Sequence, residues 1–264
     1  LEKTFRHLFR KTLFENDMRR YYLTRVDLCT NIRCNNKKVF RELVRLLRKT
    51  ATPKKYERRF YQHADRKKAN KYNKHYIQIA CGSQELVIYD KTYQMDENNL
   101  AVAYEGLPSG VLRIEVHYGR GKLKSIEDDT GITDPLDILW LLMQESKPRI
   151  LKLVEKCYPQ LDYLSYKEAK ARIKQSRFKT HTRERMLALL EEMRNRQTID
   201  AALHGMARQG VPTERLLGKF EKLGINPIPL RQRYAASRMP SLAEILRTVG
   251  KDPVCVQLSE PKWK

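Results

Sequence analysis

The chain has 264 residues, 41% of them hydrophobic, which is enough for one or two folded domains with a buried core. Lysine and arginine number 53 and the acidic residues 31, so the net charge of +22 predicts an anionic partner, most commonly nucleic acid. No run of about 18 apolar residues and no basic helix with an aromatic-rich apolar face occurs, which argues against a membrane span or a membrane-surface anchor.

The first fifty residues predict a helix, a strand and a second helix. Residues 1–20 show basic amphipathic periodicity, and residues 21–33 follow as a strand. Asn36 is placed to cap a helix that runs through Lys49, and Pro53 ends it. The chain opens on Leu1 inside a helix-like segment, so we expect an N-terminal part to be missing.

A basic segment between Pro53 and Tyr76 carries nine Lys or Arg, two acids and five aromatic residues. Cations that neutralise phosphates, interleaved with rings that stack on bases, are typical of a channel for single-stranded DNA. The alternative is a solvated basic loop whose rings pack back on the core. The candidate DNA-binding residues here are Arg58, Arg59, Lys67, Lys68, Lys71 and Lys74, and Arg25 and Arg113 of two predicted strands are further candidates.

Strands are predicted near 74–81, 85–94 and 111–118, with a hairpin turn joining the first two. From Thr133 onward the pattern becomes helical. The first of these helices is predicted to bury Leu136, Leu139, Trp140 and Met143. Further helices are predicted near 182–196, 198–209 and after Pro212, with stops at glycines.

Three strand-like runs, at 24–28, 86–91 and 111–117, show alternation that separates apolar from polar side chains. One face would carry only aliphatic residues. The other would carry Arg25, Asp27, Tyr89, Lys91, Arg113, Glu115 and His117. Two carboxylates, a tyrosine and several cations on one surface of a basic protein indicate metal-assisted attack on a phosphodiester.

Each polar residue on this face has a chemical and a structural interpretation. Asp27 and Glu115 offer the hard oxygen ligands that Mg²⁺ or Mn²⁺ prefers, with His117 as a third ligand. They could instead pair with neighbouring arginines or, for His117, face solvent. Tyr89 is the candidate nucleophile, with Lys91 to stabilise charge. As one of 14 tyrosines it could equally be structural.

Three sequence runs together resemble the replication initiators of filamentous phages, the gene II and gene X type of strand-nicking protein. The runs are Leu23-Thr24-Arg25-Val26-Asp27, Leu86-Val87-Ile88-Tyr89-Asp90-Lys91 and Gly110-Val111-Leu112-Arg113-Ile114-Glu115-Val116. They are more distantly similar to plasmid rolling-circle initiators. The segment from Gly210 to Leu216, followed by Pro229-Leu230-Arg231, is also similar to the C-terminal portion of that family. The likeness spans roughly residues 20–245, and its specificity lies in the ordered set of motifs.

This resemblance implies a tyrosine that nicks one strand of a supercoiled origin, stays attached to the 5′ phosphate and later rejoins the strand. Tyr89 would be the nucleophile, Lys91 a supporting cation, and Asp27 and Glu115 ligands of Mg²⁺ or Mn²⁺. The His-hydrophobic-His pair of the wider nickase group is absent. The partners implied are single-stranded and supercoiled origin DNA, with a host helicase and polymerase, in bacterial cytoplasm.

The sequence thus predicts an α+β fold with a central antiparallel sheet that carries the site, followed by a helical C-terminal module. Residues 1–132 would form the catalytic sheet domain and residues 133–264 a helical DNA-binding or accessory module. The five scattered cysteines fit a reducing compartment. Pairing with an identical subunit stays open. The rival interpretation is a DNA-binding replication or copy-control regulator with the same sheet and no catalysis.

Overall fold

The computed structural model describes residues 22–34, 36–97, 110–232, 234, 236–248 and the backbone of 255–258. Within these residues the chain forms a six-stranded sheet, a two-stranded sheet and eleven helices. The predicted helix over 1–20 lies outside the described residues. None of the helices in the described ranges is long and apolar enough to cross a membrane.

The strands and helices follow each other along the chain with short connections. The strands are β1 Arg25–Cys34, β2 Glu57–Arg59, β3 Tyr76–Cys81, β4 Gln84–Asp90, β5 Gly110–Gly119, β6 Tyr163–Leu164, β7 Arg238–Met239 and β8 Cys255–Leu258. The helices are α1 Lys37–Lys49, α2 Arg66–Tyr72, α3 Lys91–Glu97, α4 Arg120–Thr130, α5 Pro135–Gln144, α6 Ser146–Cys157, α7 Tyr166–Gln175, α8 Thr180–Asn195, α9 Ile199–Arg208, α10 Leu216–Lys222 and α11 Leu242–Thr248.

The large sheet has the strand order β2-β3-β4-β5-β1-β8. The first five strands in this order pair with one another in antiparallel fashion, as the sequence predicts, while β8 pairs in parallel with β1 at the far edge. The α+β composition and the antiparallel sheet are therefore confirmed. The parallel edge strand was not predicted.

One face of the sheet, the closed face, holds the aliphatic residues that the alternation predicts. These are Leu28, Ile32, Leu86, Ile88, Leu112, Ile114 and Val116, and all are buried. Helices α1, α4 and α6 pack against the strands that carry them. Because side chains of a strand alternate between faces, the polar residues between them lie together on the opposite side, the open face.

Local capping and turn chemistry place several elements where the sequence predicts them. The Asn36 side chain accepts hydrogen bonds from the backbone N–H groups of Lys38 and Val39, so α1 begins as expected. Gly82 adopts φ +57° in the β3–β4 hairpin. Helices α8, α9 and α10 correspond to the three helices predicted in the last hundred residues.

The prediction of a strand over 85–94 is wrong at its C-terminal end. Strand β4 stops at Asp90, and Lys91 begins helix α3. The cause is local, because Asp90 Oδ1 accepts a hydrogen bond from the Tyr93 backbone N–H at 2.9 Å, as a helix N-cap does. Lys91 therefore belongs to a helix, and its side chain is not positioned by strand alternation.

The predicted inner stripe of α5 is also wrong. Its buried residues are Ile138 and Leu142, whereas Trp140 is 56% exposed and Met143 is 36% exposed. The helix is apolar around most of its circumference, so periodicity alone does not select the buried side. Contact with β1 and α6 selects it instead.

A single core runs across the boundary predicted near residue 132. It joins sheet residues such as Leu28 and Ile114 to Met186, Phe220 and Leu246 of the C-terminal helices. Helix α6 packs on β1, β4 and β5, and β8 returns from the C-terminal end to the sheet. The division into a catalytic domain and a helical module stays a prediction.

Replacing Leu142 by alanine should lower the free energy of unfolding by about 2–5 kcal/mol, because the buried side chain leaves a cavity. Trp140→Ala removes a larger side chain but should cost under about 1 kcal/mol, since that side chain is mostly solvated. Urea unfolding followed by circular dichroism measures both. A larger loss of stability for Trp140→Ala than for Leu142→Ala would instead support the buried stripe predicted from periodicity.

Candidate active site on the open face

The pairing of β5 with β4 and β1 brings the candidate residues together on the open face. Across the β4–β5 pair, Tyr89 lies opposite Arg113 and Glu85 lies opposite His117. Across the β1–β5 pair, Asp27 also lies opposite His117. Facing and diagonal side chains on antiparallel strands are within reach of each other. Strand β5 is thus the centre of the candidate site.

A continuous chain of hydrogen bonds links a tyrosine, a carboxylate, a histidine and an arginine. Tyr89 Oη donates to Glu115 Oε1 at 2.7 Å, and the second oxygen, Oε2, lies 3.0 Å from His117 Nε2. His117 Nδ1 lies 2.9 Å from Arg25 Nη2, which can only donate. If the neutral ring accepts a hydrogen bond from Arg25 at Nδ1, its proton lies on Nε2, and the Nε2–H group donates a hydrogen bond to Glu115. All three hydrogen bonds of the chain can then form at the same time.

Burial and the neighbouring carboxylate keep Tyr89 in its neutral form. The side chain is only 7% exposed. Burial first, and then the hydrogen bond and negative charge of Glu115, raise the pKa of the Tyr89 phenol far above its usual value. For Glu115, burial acts to raise the pKa, but hydrogen bonds from His117 and Tyr89 outweigh it and hold the pKa below its usual range. A charged carboxylate therefore faces a neutral phenol.

The predicted metal ligands lie together but do not form a ready cage. His117 Nε2 is 3.0 Å from Glu115 Oε2, close to the spacing of two ligands on one ion, and 4.0 Å from Asp27 Oδ1. Asp27 instead accepts a hydrogen bond from Arg25 Nε at 2.7 Å. Among the described residues no group of three His, Cys, Asp or Glu stands ready to hold a metal ion. Asp27 would have to leave Arg25 to complete the set.

Lys91 reaches the site from helix α3 rather than from the strand. Its Nζ lies 6.0 Å from the centroid of the Tyr89 ring and donates to Gln94 Oε1 at 2.7 Å. Burial, with Arg113 nearby, lowers the pKa of Lys91. Lys91 therefore lies near Tyr89, as predicted, but helix α3 positions it rather than strand β4.

Two of the candidate DNA-binding residues near the sheet have structural contacts. Arg58 donates to the backbone carbonyls of Arg48 and Thr50 at the end of α1, at 2.8 and 3.3 Å. Arg113 donates to Asn31 Oδ1 at 2.8 Å. Both side chains help to hold the fold, and neither is a freely solvated cation.

The remaining candidate cations differ in how they are paired. Arg59 contacts the carboxylates of Glu57 and Glu85, and Lys71 contacts Glu97 at 2.8 Å. By contrast, no ion pair to a carboxylate in the described ranges is made by Lys67, Lys68 and Lys74, all of them exposed. These three retain the strongest case for contact with phosphate.

The aromatic residues of segment 53–76 pack on one another and lead toward the site. The rings of Tyr61 and Tyr72 lie 4.3 Å apart, those of Tyr72 and Tyr76 5.5 Å apart, and those of Tyr76 and Tyr89 6.4 Å apart, measured between centroids. Phe60 remains 66% exposed. Most rings of the segment thus pack into the folded structure, as the loop interpretation predicts. The Phe60 ring stays exposed and could stack on a base, as the DNA-channel interpretation predicts.

Two residues that were not predicted as part of the site, Glu85 and Gln78, complete the open face. Glu85 Oε2 lies 3.4 Å from His117 Nδ1 and accepts a hydrogen bond from Gln78 Nε2 at 2.9 Å. Glu85 precedes Tyr89 by four residues on the same strand, so alternation places both on one face. Glu85 already lies in the strand predicted near 85–94, and only the shorter run 86–91, from which the polar face was read, leaves it out.

Comparisons with models of protein families, with curated proteins and with solved structures find no match for this chain. The resemblance to phage replication initiators therefore stays a prediction that depends on the residues of β1, β4 and β5.

Replacing Glu115 by glutamine should bring the pKa of Tyr89 down toward its ordinary value of about 10, because a negative charge beside the phenolate is removed. Burial, the largest cause of the raised pKa, would still keep it well above that value. The measurement is a pH titration of ¹³Cζ-tyrosine by NMR with chelator present. The resonance missing in Tyr89→Phe assigns the signal. An unchanged titration would exclude the Glu115 charge as a cause.

Proposed function

We propose that this protein is a metal-dependent DNA strand transferase that nicks and rejoins one strand at a replication origin through a 5′-phosphotyrosine intermediate. The observation that carries the proposal is the 2.7 Å hydrogen bond from Tyr89 to Glu115, on a polar sheet face of a strongly basic protein. A phenol needs a proton acceptor to attack phosphorus, and Glu115 occupies that position.

The reaction divides into two balanced steps. Tyr89 Oη forms a bond to phosphorus while the bond from phosphorus to the 3′ oxygen breaks, and the phenol proton passes to Glu115 Oε1. The departing 3′ oxygen takes a proton from water, and the hydroxide that this leaves is neutralised by the proton on Glu115, which returns the carboxylate to its charged form. This leaves the 5′ phosphate on Tyr89 and a free 3′ hydroxyl that can prime synthesis. Attack by a 3′ hydroxyl on the phosphotyrosine reverses the chemistry and rejoins the strand.

Asp27, Glu115 and His117 would hold Mg²⁺ or Mn²⁺, which when bound polarises the scissile phosphate. His117 can serve as a ligand at Nε2 only if its proton moves to Nδ1. The Nδ1–H group could then donate a hydrogen bond to Glu85 Oε2, which lies 3.4 Å away. Histidines that bind a metal through one ring nitrogen commonly donate from the other to a carboxylate. Arg25 would then be released from the ring and free to contact phosphate.

In this proposal Lys67, Lys68 and Lys74 contact the backbone of single-stranded DNA, and Phe60 offers a stacking surface. The helices after residue 133 help to recognise the origin. Supercoiled origin DNA, a host helicase and polymerase, and a cytoplasmic location in a bacterial host belong to the same proposal.

A second candidate function is a non-catalytic DNA-binding regulator, and the burial of Tyr89 favours it. The phenol is 7% exposed and already bonded, so attack on phosphate requires the substrate to approach the floor of the open face. A purely structural tyrosine would show the same contacts.

Tyr89→Phe should abolish covalent attachment to DNA and leave non-covalent binding nearly unchanged, because only the attacking oxygen is removed. The measurement combines denaturing gels and mass spectrometry after incubation with Mn²⁺ and single-stranded fragments tiled across the replicon. Tyr93→Phe is the matched control, since Tyr93 lies four residues away. An adduct on another tyrosine would move the site, and DNA binding without any adduct would favour the regulator.

Asp27→Ala should weaken cleavage in a way that higher Mn²⁺ partly restores, because a metal ligand is lost. Glu115→Ala should not be restored, because the proton acceptor is lost as well. Cleavage rates across a Mn²⁺ titration measure both. Asp128→Ala, an exposed acid on α4, serves as the control. Normal cleavage by either variant with an unaltered metal response would remove that carboxylate from the ligand set.

A further inference from the structure

A cavity of about 530 Å³ lies at the β2 edge of the sheet, between the end of α1 and the segment that leads into α9. Six cations line it: Arg45, Arg48, Lys49, Arg58, Arg59 and Lys74. The acid on the same lining is Asp200, which accepts a hydrogen bond from the Thr52 backbone N–H. The cavity therefore carries a strong excess of positive charge.

Most of this charge is not neutralised by carboxylates. Arg45 pairs with Glu42, and Arg59 with Glu57 and Glu85. The other four cations make no ion pair with an acid in the described ranges. Two of them are held by backbone carbonyls, Lys49 by Met193 at 2.6 Å and Arg58 by Arg48 and Thr50. Carbonyl dipoles position these cations but leave their net charge in place.

The cations also act on one another. Burial and the nearby charges of Arg45 and Arg231 lower the pKa of Lys49 to about 8. Burial and Arg58 lower the pKa of Arg48. The Arg58 Nε atom is buried without a hydrogen-bond partner in the described structure. Like charges gathered at a partly buried concave site attract an anion, because its binding relieves their mutual repulsion.

The aromatic residues on the lining indicate which anion fits. Phe60, 66% exposed, borders the cavity and can present its ring to a flat base, whereas the ring of Tyr76, also on the lining, packs against those of Tyr72 and Tyr89. The volume lies in the range of small-molecule sites. The Tyr76 ring centroid is 6.4 Å from that of Tyr89, so one lining residue of the cavity reaches the candidate site. A phosphate with an attached base matches this combination.

We propose that this cavity binds one nucleotide of the DNA single strand, with its phosphate against Arg48, Arg58 and Lys74 and its base against Phe60. The inference rests on the proposed function in taking the ligand to be single-stranded DNA. It adds a nucleotide-binding site next to the scissile phosphate that would set where the strand is cut. Arg48 lies on α1, outside the basic segment 53–76.

The test compares Arg48→Gln with Arg41→Gln, an exposed arginine on the same helix with no described ion pair. Binding of a fluorescein-labelled 12-residue oligothymidylate is measured by anisotropy over a range of salt concentrations. Arg48→Gln should weaken binding severalfold and reduce the slope of log K against log salt by about 0.7, the value for one phosphate contact. Arg41→Gln should change neither.

Phe60→Ala tests the base. It should weaken binding of the oligothymidylate roughly fivefold or more and leave binding of an abasic strand of the same length unchanged. Equal losses for both strands would overturn the stacking contact. Equal effects of Arg48→Gln and Arg41→Gln would overturn the cavity as a phosphate site while leaving DNA binding intact.

A competition experiment distinguishes two further outcomes. Thymidine 5′-monophosphate and inorganic phosphate are added as competitors of the oligothymidylate. Displacement at micromolar monophosphate that Arg48→Gln abolishes would overturn strand binding and assign the cavity to a free nucleotide. Failure of the wild-type protein to bind any single strand would overturn both this inference and the proposed function.

Discussion

The register between β4 and β5 is the constraint on which the rest of the site depends. It sets Tyr89 opposite Arg113 and places Glu115 within 2.7 Å of the phenol. A slip of one residue would exchange the two faces, burying Glu115 under α6 and exposing Ile114 to solvent. The aliphatic residues of the closed face therefore fix the chemistry of the open face, because their burial permits only one register.

The sequence predicted these strands well because alternation is a local property that burial reinforces. Val26, Leu28, Asp27 and their counterparts on β4 and β5 fall on the predicted faces. Prediction failed where a side chain acts on the backbone at close range. Asp90 caps a helix at the end of β4, and no hydrophobic pattern marks that change, so Lys91 was assigned to the wrong element.

Tertiary contacts account for the other differences. Helix α5 is apolar on several sides, and only its position against β1 and α6 decides that Leu142 is buried and Trp140 is not. The partners of Arg58 could not be predicted either, since they are backbone carbonyls of a helix end ten and eight residues earlier. The metal ligands, the nucleophile and the two-part division of the chain stay predictions.

Some of the positively charged residues stabilise the fold, and only the others are exposed for binding a partner. Glu42, 4% exposed, binds Arg45 and also accepts a hydrogen bond from the Arg231 backbone N–H. Arg45 in turn donates to the Pro229 carbonyl at 2.8 Å, which ties α1 to the C-terminal part of the chain. Net charge therefore indicates an anionic partner, but it overstates how many cations are free to meet one.

The parallel pairing of β8 with β1 has a consequence for the order of assembly. Asn31 pairs with Cys255, so the sheet joins residues more than two hundred positions apart. Contacts of such long range close late and slowly, because the loop entropy must be lost first. During synthesis the edge of β1 stays uncovered until the C-terminal segment has left the ribosome, and a nascent chain that stops before it presents an unpaired strand edge to its neighbours.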